Sequence, residues 1–293
     1  MKRKNKELSL LKAVVILLSI TVSGCSENSE NSIKEINLDV PTSTSGSTVY
    51  ASRNVYFVKS NGVYSAAEAA SDFGNISGWD VDNAYIYNNI CRILIDKDEV
   101  GGGSGMVSEI DVTDGNEYEL EYKMKFHPDF EWSRGGKVSF GFKVGDGVTG
   151  CQGSSAQAGN GGSFRVTWYN QGSNDTEVYF YPYIYYAGMS GSCGSDFQSS
   201  RYPTTGALSK NYWYTIKIYF KANTGTNADG EAKMWVNGNL IFDQDDIKWS
   251  LSDAQRKVTG IYFSVFRGGS ASYWESSTDG YVYFDDLKWN KLD

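Results

Sequence analysis

The sequence is poor in the residues that most often build metal sites. It holds one histidine, His127, and four cysteines that are far apart from one another. A zinc site of cysteine and histidine needs closely spaced ligands, so the sequence excludes one. The acidic run from Asp243 to Asp246 lacks the spacing of a calcium-binding loop. We therefore expect neither a metal nor a cofactor.

Positive charge is also scarce. The chain has 27 Lys and Arg against 35 Asp and Glu, which gives a net charge of −8. Residues 1–24 hold five of the basic residues and one Glu, so the remainder carries −12. Such an acidic chain is poorly suited to nucleic acid. It can hold an anionic polymer only where cations gather locally.

Long apolar runs are missing too, and the one near the amino terminus has the features of a targeting signal. Ala13 to Val22 follows a basic segment and, at ten residues, is too short to span a bilayer. Val22-Ser-Gly-Cys25 resembles a bacterial lipobox. We predict a signal peptide over residues 1–24 and lipidation of Cys25, with an ordinary secretory signal as the alternative. The protein would then be anchored in the bacterial cell envelope, and Ser26 favours the outer membrane, on its periplasmic or surface face.

The rest of the chain divides into a tether and one domain. Residues 25–52 are rich in Ser, Asn, Thr and Glu and predict a flexible tether. Residues 53–293 show no further break in composition and are long enough for one sizeable core.

Residues 53–293 have the pattern of an all-β fold. Aromatic residues make up 15% of the chain, with 32 glycines and four prolines, and short alternating segments are separated by turns. Asn237-Gly238 predicts a type I′ hairpin. Helical periodicity is weak, with Ala66 to Ser71 and Ser252 to Gln255 as the only candidates for short turns. We predict a two-sheet antiparallel sandwich, with strands at 84–87, 91–95, 105–110, 117–126, 137–143, 163–169, 177–183, 213–221, 232–236, 239–242, 258–266 and 280–289.

The segment from Gly135 to Tyr183 concentrates cationic and tyrosine side chains on one face of these strands. Because side chains alternate along a strand, Ser163 and Arg165 share a face, as do Tyr179 and Tyr181. Lys137 lies on the preceding strand. The intervening apolar residues indicate the core side: Phe164, Val166, Trp168, Val178 and Phe180. Such a surface suits chemistry on an acidic sugar.

Three cysteines remain beside Cys25. Cys151 and Cys193 lie in Gly/Ser-rich loops suited to bridging one end of a sheet, whereas Cys91 lies in an apolar run and is expected to be buried and unpaired. Three cysteines allow three single bridges, and Cys151–Cys193 is the one we favour.

An ordered series of motifs over about residues 80–293 resembles polysaccharide lyase family 14, the alginate and glucuronate lyases. The series begins with Phe126-His-Pro-Asp-Phe-Glu-Trp-Ser-Arg-Gly-Gly-Lys137, Ser163-Phe-Arg-Val-Thr-Trp168 and Val178-Tyr-Phe-Tyr181. It continues with Met234-Trp-Val-Asn-Gly238, Gly260-Ile-Tyr-Phe-Ser-Val-Phe-Arg-Gly-Gly269 and Tyr283-Phe-Asp-Asp286. The resemblance implies a β-jelly roll with a concave cleft and β-elimination of a uronate polymer. It also implies Lys137, Tyr179 and Tyr181 as catalytic residues, with Ser163 and Arg165 binding substrate.

The chemistry explains these residue types. Removing the C5 proton beside a carboxylate requires that its charge be neutralised, which suits the planar fork of Arg165, with Lys137 as a second positive contact. Lys137 and Arg165 should also lower the pKa of nearby tyrosines, so that Tyr179 and Tyr181 serve as base and acid. Lys137 is the rival candidate for the base. The alternative function is a non-catalytic glycan-binding lipoprotein on the same fold, and a glycoside hydrolase is disfavoured because the site offers no carboxylate pair.

Overall fold

A computed structural model describes residues 48–293. The predicted signal peptide, Cys25 and most of the predicted tether lie outside these residues. The β-structure begins at Tyr50, which bridges to Val112, and the first strand starts at Ser52. No helix within 48–293 is both long and apolar enough to cross a membrane.

Fifteen strands and two α-helices make up the described fold. The helices are α1 (Ala66–Phe73) and α2 (Gly153–Gln157). The strands are β1 (Ser52–Val55), β2 (Gly62–Val63), β3 (Ile76–Ser77), β4 (Ala84–Ile86), β5 (Cys91–Ile95), β6 (Met106–Gly115), β7 (Glu117–Phe126), β8 (Gly135–Gly145), β9 (Gly161–Asn170), β10 (Val178–Tyr185), β11 (Tyr214–Lys221), β12 (Gly230–Val236), β13 (Asn239–Ile247), β14 (Val258–Arg267) and β15 (Gly280–Lys291).

The strands form two antiparallel sheets, which confirms the predicted sandwich. One sheet has nine strands in the order β13-β12-β11-β7-β15-β5-β4-β2, with β1 paired to β15. The other has six strands in the order β10-β9-β8-β14-β6-β3. Neighbours such as β8 and β14 are far apart in sequence, so the strands that carry the candidate site are held in place by long-range pairing.

The core between the sheets is largely aromatic. Phe140 of β8 stacks on Phe263 of β14, with ring centroids 4.0 Å apart, and both are fully buried. Tyr122 of β7 and Phe284 of β15 reach Phe140 from the other sheet, each with its centroid 5.5 Å away. Large rings of this kind dominate core energetics, because each buries about 150–250 Å². The predicted apolar side of β9 and β10 is confirmed: Phe164, Val166, Trp168, Val178 and Phe180 are all fully buried.

Local signals account for several element ends. Asn237 and Gly238 both have positive φ, 51° and 77°, as a type I′ turn requires, and they join β12 to β13. Helix α1 begins after Ser65, whose side chain forms a capping box with Glu68. This helix is two residues longer than its sequence pattern indicated. Helix α2, in the Gly/Ser-rich loop between β8 and β9, was not predicted, because five residues are too few to show a helical period.

Candidate active site

Strands β8, β9 and β10 bring the candidate residues together on one face of the six-stranded sheet, the face turned away from the core, which we call the site face. Lys137 lies opposite Thr167 of β9, and Thr167 lies opposite Tyr181 of β10. Arg165 lies opposite Tyr183. Lys137 of β8 and Arg165 of β9 therefore lie beside the tyrosines on the same face of β10. These tyrosines, which we call the tyrosine ladder, are Tyr179, Tyr181, Tyr183 and Tyr185.

A bulge in β8 separates the two ends of the site. Lys137 pairs with Thr167 and Phe142 pairs with Phe164, so four residues of β8 face two of β9. Gly141 lies within this bulge, and a Cβ there would lie 2.5 Å from the carbonyl oxygen of Phe164. The absence of a side chain lets β9 and its Arg165 approach β8 closely.

Side chains on the site face are buried although they point away from the core. This burial shows that loops cover the site face. Arg165 is 4% exposed and Tyr181 is 5% exposed. The backbone N–H of Cys151 donates to the Tyr185 hydroxyl at 2.8 Å, and that of Gly194 donates to the Tyr183 hydroxyl at 3.1 Å.

A disulfide joins the two loops that make these contacts. Cys151 and Cys193 are bonded in the structure, while Cys91 is a buried free thiol. The backbone N–H of Gly153, two residues past Cys151, donates to the carbonyl of Ser192 at 2.6 Å. The loop before α2 and the loop after β10 thus form one cover over the tyrosine ladder.

The two cations of the site have no acidic partner. Among residues 48–293, neither Lys137 nor Arg165 forms an ion pair. Arg165 Nε is buried without a hydrogen-bond partner. Lys137 Nζ lies 4.2 Å from the ring centroid of Tyr183, and the Arg165 guanidinium lies 5.7 Å from the same ring. A buried cation such as Arg165 is normally paired, so this arrangement leaves room for a ligand's negative charge.

The surroundings of Lys137 lower its pKa. Loss of solvent, and secondarily the nearby charge of Arg165, lower the pKa of Lys137 from 10.5 to about 7. Burial also lowers the pKa of Arg165, although a guanidinium remains protonated in proteins at ordinary pH. Near neutral pH the site therefore holds one permanent cation and one amine that can accept a proton.

The tyrosines behave differently from the sequence-based expectation. Burial raises the pKa of Tyr181 above its ordinary 10.0, and it also raises the pKa of Tyr179 and Tyr183. Arg165 opposes this rise at Tyr183 but does not overcome it. The expected lowering was wrong because the tyrosines are desolvated together with the cations. Their hydroxyls remain protonated and are suited to donate a proton.

Ser163 and Tyr179 lie at opposite ends of the site. Ser163 is fully buried and its hydroxyl donates to the carbonyl of Val148 at 2.7 Å, which fastens the covering loop. The Tyr179 hydroxyl lies 3.3 Å from the amide oxygen of Gln171 and 3.2 Å from that of Gln198. The Arg201 guanidinium lies 4.5 Å from the Tyr179 ring centroid.

Two polar residues that were not among the predicted site residues also belong to the site, although alternation along β9 already places Thr167 on the face of Ser163 and Arg165. Ser139 and Thr167 lie on the site face, and both hydroxyl oxygens are buried without a partner. Each is two residues from a selected cation, Ser139 from Lys137 and Thr167 from Arg165. The two-residue period of a strand was the signal that pointed to them.

Comparisons with known proteins identify the family of the chain. The polysaccharide lyase 14 family matches residues 92–287. A double variant of alginate lyase Aly36B, in complex with alginate tetrasaccharide, is 40% identical with a TM-score of 0.80, covering 84% of this chain and 98% of that one. Unsubstituted Aly36B is 41% identical with a TM-score of 0.79 over the same shares.

A more distant likeness concerns the fold alone. The marine PL-14 alginate lyase from Aplysia kurodai is 18% identical with a TM-score of 0.60, covering 84% of this chain and 100% of that one. No curated protein matches the chain by sequence. The family match spans most of both sheets and includes every residue of the site, and the likeness to Aly36B covers over four fifths of the chain. The chain therefore belongs to the polysaccharide lyase 14 family and is a polysaccharide lyase.

Proposed function

We propose that this lyase cleaves a uronate polymer, alginate foremost and glucuronan as the second candidate, by β-elimination at Lys137. The observation that carries the proposal is a pair of cations without acidic partners, the buried Arg165 and the half-buried Lys137, facing protonated tyrosines. A sugar carboxylate is the group that such a pair lacks.

Arg165 takes the carboxylate of the sugar whose C5 proton is removed. Its charge stabilises the enediolate that develops as the C5–H bond breaks. Because the site is buried, this interaction acts in a medium of lower dielectric than water and is correspondingly stronger. The unpartnered hydroxyls of Ser139 and Thr167 supply further hydrogen bonds to the bound sugar.

Lys137 is the base and a tyrosine is the acid. The neutral amine of Lys137 takes the C5 proton, the C4–C5 double bond forms and the C4–O4 bond breaks. A tyrosine hydroxyl protonates the leaving O4, and the proton on Lys137 then restores the phenol through water. Tyr181 and Tyr183 are the candidates for the acid, since they lie nearer to Lys137 and Arg165 than Tyr179 does.

The relatives support alginate as substrate. Two Aly36B structures contain alginate: a variant with a lysine and a tyrosine replaced by alanine holds the tetrasaccharide, and one with a lysine and a methionine replaced by alanine holds the trisaccharide. Alginate bound to relatives that are 40% identical to this chain supports alginate as its ligand.

The amino-terminal pattern supports a membrane-anchored enzyme. We propose that Cys25 carries the lipid and that residues 26–47 link it to the folded domain. Labelling with a radioactive fatty acid tests this: wild type should be labelled and pellet with membranes, and Cys25→Ser should be unlabelled and soluble. Equal labelling of both would overturn the anchor.

Absorbance of the unsaturated uronate tests the enzymatic proposal. Residues 48–293 are incubated separately with polymannuronate, polyguluronate and glucuronan, and the rise in ultraviolet absorbance is followed. We expect turnover of at least one polymer, and loss of most of kcat/KM in Arg165→Gln. Lys143→Gln is the matched control, because Lys143 is on the same strand as Lys137 and paired with Glu109. Absence of absorbance with every uronate would refute the proposal.

A further inference from the structure

The outer face of the nine-stranded sheet carries a row of side chains that alternates between aromatic and cationic groups. Lys125 of β7 lies opposite Tyr283 of β15, which lies opposite Arg92 of β5, which lies opposite Tyr85 of β4. Trp213, just before β11, closes the row, with its ring centroid 5.0 Å from Lys125 Nζ. With strands about 4.8 Å apart, this aromatic-cation row is about 19 Å long.

The rings and the cations of the row are in contact. The Arg92 guanidinium lies 5.1 Å from the centroid of Tyr85, 5.3 Å from that of Tyr87 and 4.8 Å from that of Tyr281. Lys125 Nζ lies 5.1 Å from the Tyr283 centroid. These contacts hold both cations against rings and orient them, as cation–π geometry requires.

The cations of the row lack the acidic partners that other lysines of the same face have. Arg92 and Lys125 form no ion pair within residues 48–293, and Arg92 Nε is buried without a hydrogen-bond partner. Lys125 Nζ instead lies 3.4 Å from the side-chain amide oxygen of Asn211. The paired lysines of this face include Lys123 with Asp286 at 2.6 Å, Lys217 with Glu119 at 2.7 Å, Lys288 with Glu121 at 2.9 Å, Lys221 with Glu231 at 2.9 Å and Lys233 with Asp243 at 3.2 Å.

We propose that the aromatic-cation row is a second carbohydrate site, which binds an acidic polysaccharide on the opposite side of the sandwich from Lys137. Tyr283 is only 7% exposed, so sugar C–H faces would pack on the rings around Arg92, chiefly Tyr87 at 45% exposed. The sugar carboxylates would pair with Arg92 and Lys125. In a chain with a net charge of −8, two cations without partners are a local exception that favours an anionic ligand.

The position of the row sets what it does. It lies on the nine-stranded sheet, and the catalytic residues lie on the outer face of the six-stranded sheet, so a polymer bound at the row leaves the catalytic site open. A second attachment point raises the effective concentration of polymer at the enzyme. The inference uses the proposed function only for the identity of the polymer, since the contacts themselves require only an acidic glycan.

Affinity electrophoresis tests the row. Gels contain alginate, glucuronan or a neutral glucan, and the background is Lys137→Ala/Arg165→Gln, which prevents cleavage and weakens the catalytic site. Adding Arg92→Gln/Lys125→Gln should weaken retardation by alginate at least tenfold, because two charge-assisted contacts are lost. The control pair Lys123→Gln/Lys217→Gln should change it less than twofold. Equal retardation by the neutral glucan, or no loss in the row variant, would overturn the second site.

Turnover separates failure of this inference from failure of the proposed function. In the otherwise wild-type chain, Arg92→Gln/Lys125→Gln should cleave an alginate tetrasaccharide at the wild-type rate. Its rate of cleavage of dilute alginate polymer should fall. If no uronate is cleaved but retardation still depends on the row, the proposed function fails and the row stands. If Arg92→Gln prevents folding, judged by circular dichroism, Lys125→Gln/Tyr87→Ala replaces it, because Tyr87 is 45% exposed. Lys125→Gln/Tyr87→Ala should likewise weaken retardation by alginate at least tenfold, and a change of less than twofold would overturn the second site.

Discussion

Lys137 offers the sharpest test of the proposed chemistry. A fall in its pKa from 10.5 to about 7 makes about half of the amines neutral at pH 7. An unperturbed lysine would be neutral in about 0.03% of molecules at that pH. Burial therefore raises the concentration of usable base roughly a thousandfold. This gain exists only while Lys137 is desolvated beside Arg165.

The assay is the pH dependence of kcat/KM on a soluble uronate oligosaccharide. The rate should rise with pH through a value near 7, because the neutral amine is the active form. Lys137→Ala should lose on the order of 10²–10⁴ in kcat, the usual contribution of a general base. Lys143→Gln, on the same strand, should keep both the rate and the profile. A rate that is flat from pH 5.5 to 8.5, or a Lys137→Ala variant with more than a tenth of wild-type kcat, would refute the role of Lys137.

The same shift in pKa predicts how stability varies with pH. The unfolded chain binds more protons than the native state between pH 7 and 10.5, so the contribution of Lys137 to stability rises with pH across that window. Below pH 7 the native state must hold a buried ammonium, which costs up to about 5 kcal/mol. Since Lys137 retains some solvent contact, we expect a few kcal/mol. Lys137→Met should unfold at higher denaturant than wild type at pH 6, with the difference shrinking towards pH 10. A constant difference would contradict the burial argument.

Four further variants test the surroundings of Lys137. Tyr181→Phe and Tyr183→Phe should differ in kcat by at least tenfold, because only one donates the leaving-group proton; equal rates would show that neither is the acid. Cys151→Ser/Cys193→Ser should lower the free energy of unfolding by about 2–4 kcal/mol, measured in urea. It should also lower kcat, because the two loops would no longer hold the hydroxyls of Tyr183 and Tyr185 in place. An unchanged kcat would show that the loops do not orient them. Gly141→Ala should lose about 1–3 kcal/mol of stability, seen as a lower Tm, because its Cβ would meet a backbone carbonyl of β9; a wild-type Tm would show that the bulge relaxes freely.

The sequence was informative wherever alternation alone decides the outcome. The polar and apolar sides of β9 and β10 follow from residue order, so the order alone places Arg165 and the tyrosine ladder on one face. The hairpin at Asn237-Gly238 was equally local, because it depends on two residues that tolerate positive φ. The two-sheet architecture followed from the composition and the strand lengths.

Burial was the quantity that the sequence did not reveal. Whether loops cover the site face depends on the paths of the chain after β8 and after β10, and this cover decides the direction of each pKa. For that reason the pKa of Lys137 falls to near neutrality, whereas the pKa of tyrosines such as Tyr181 rises. The aromatic-cation row was hidden for a similar reason, since its five residues come from five separate segments and meet only through strand register.

The bulge in β8 constrains how this segment can change in length during evolution. Its surplus over β9 is two residues, an even number, so the side chains before and after it keep the same alternation. Deleting a single residue between Lys137 and Phe142 would turn either the lysine into the core or the phenylalanine out of it. Deleting two would preserve both faces and remove the surplus over β9, but it would shift the continuous register of β8 with β14 by two residues. Insertions and deletions tolerated at this point in active relatives should therefore come in pairs.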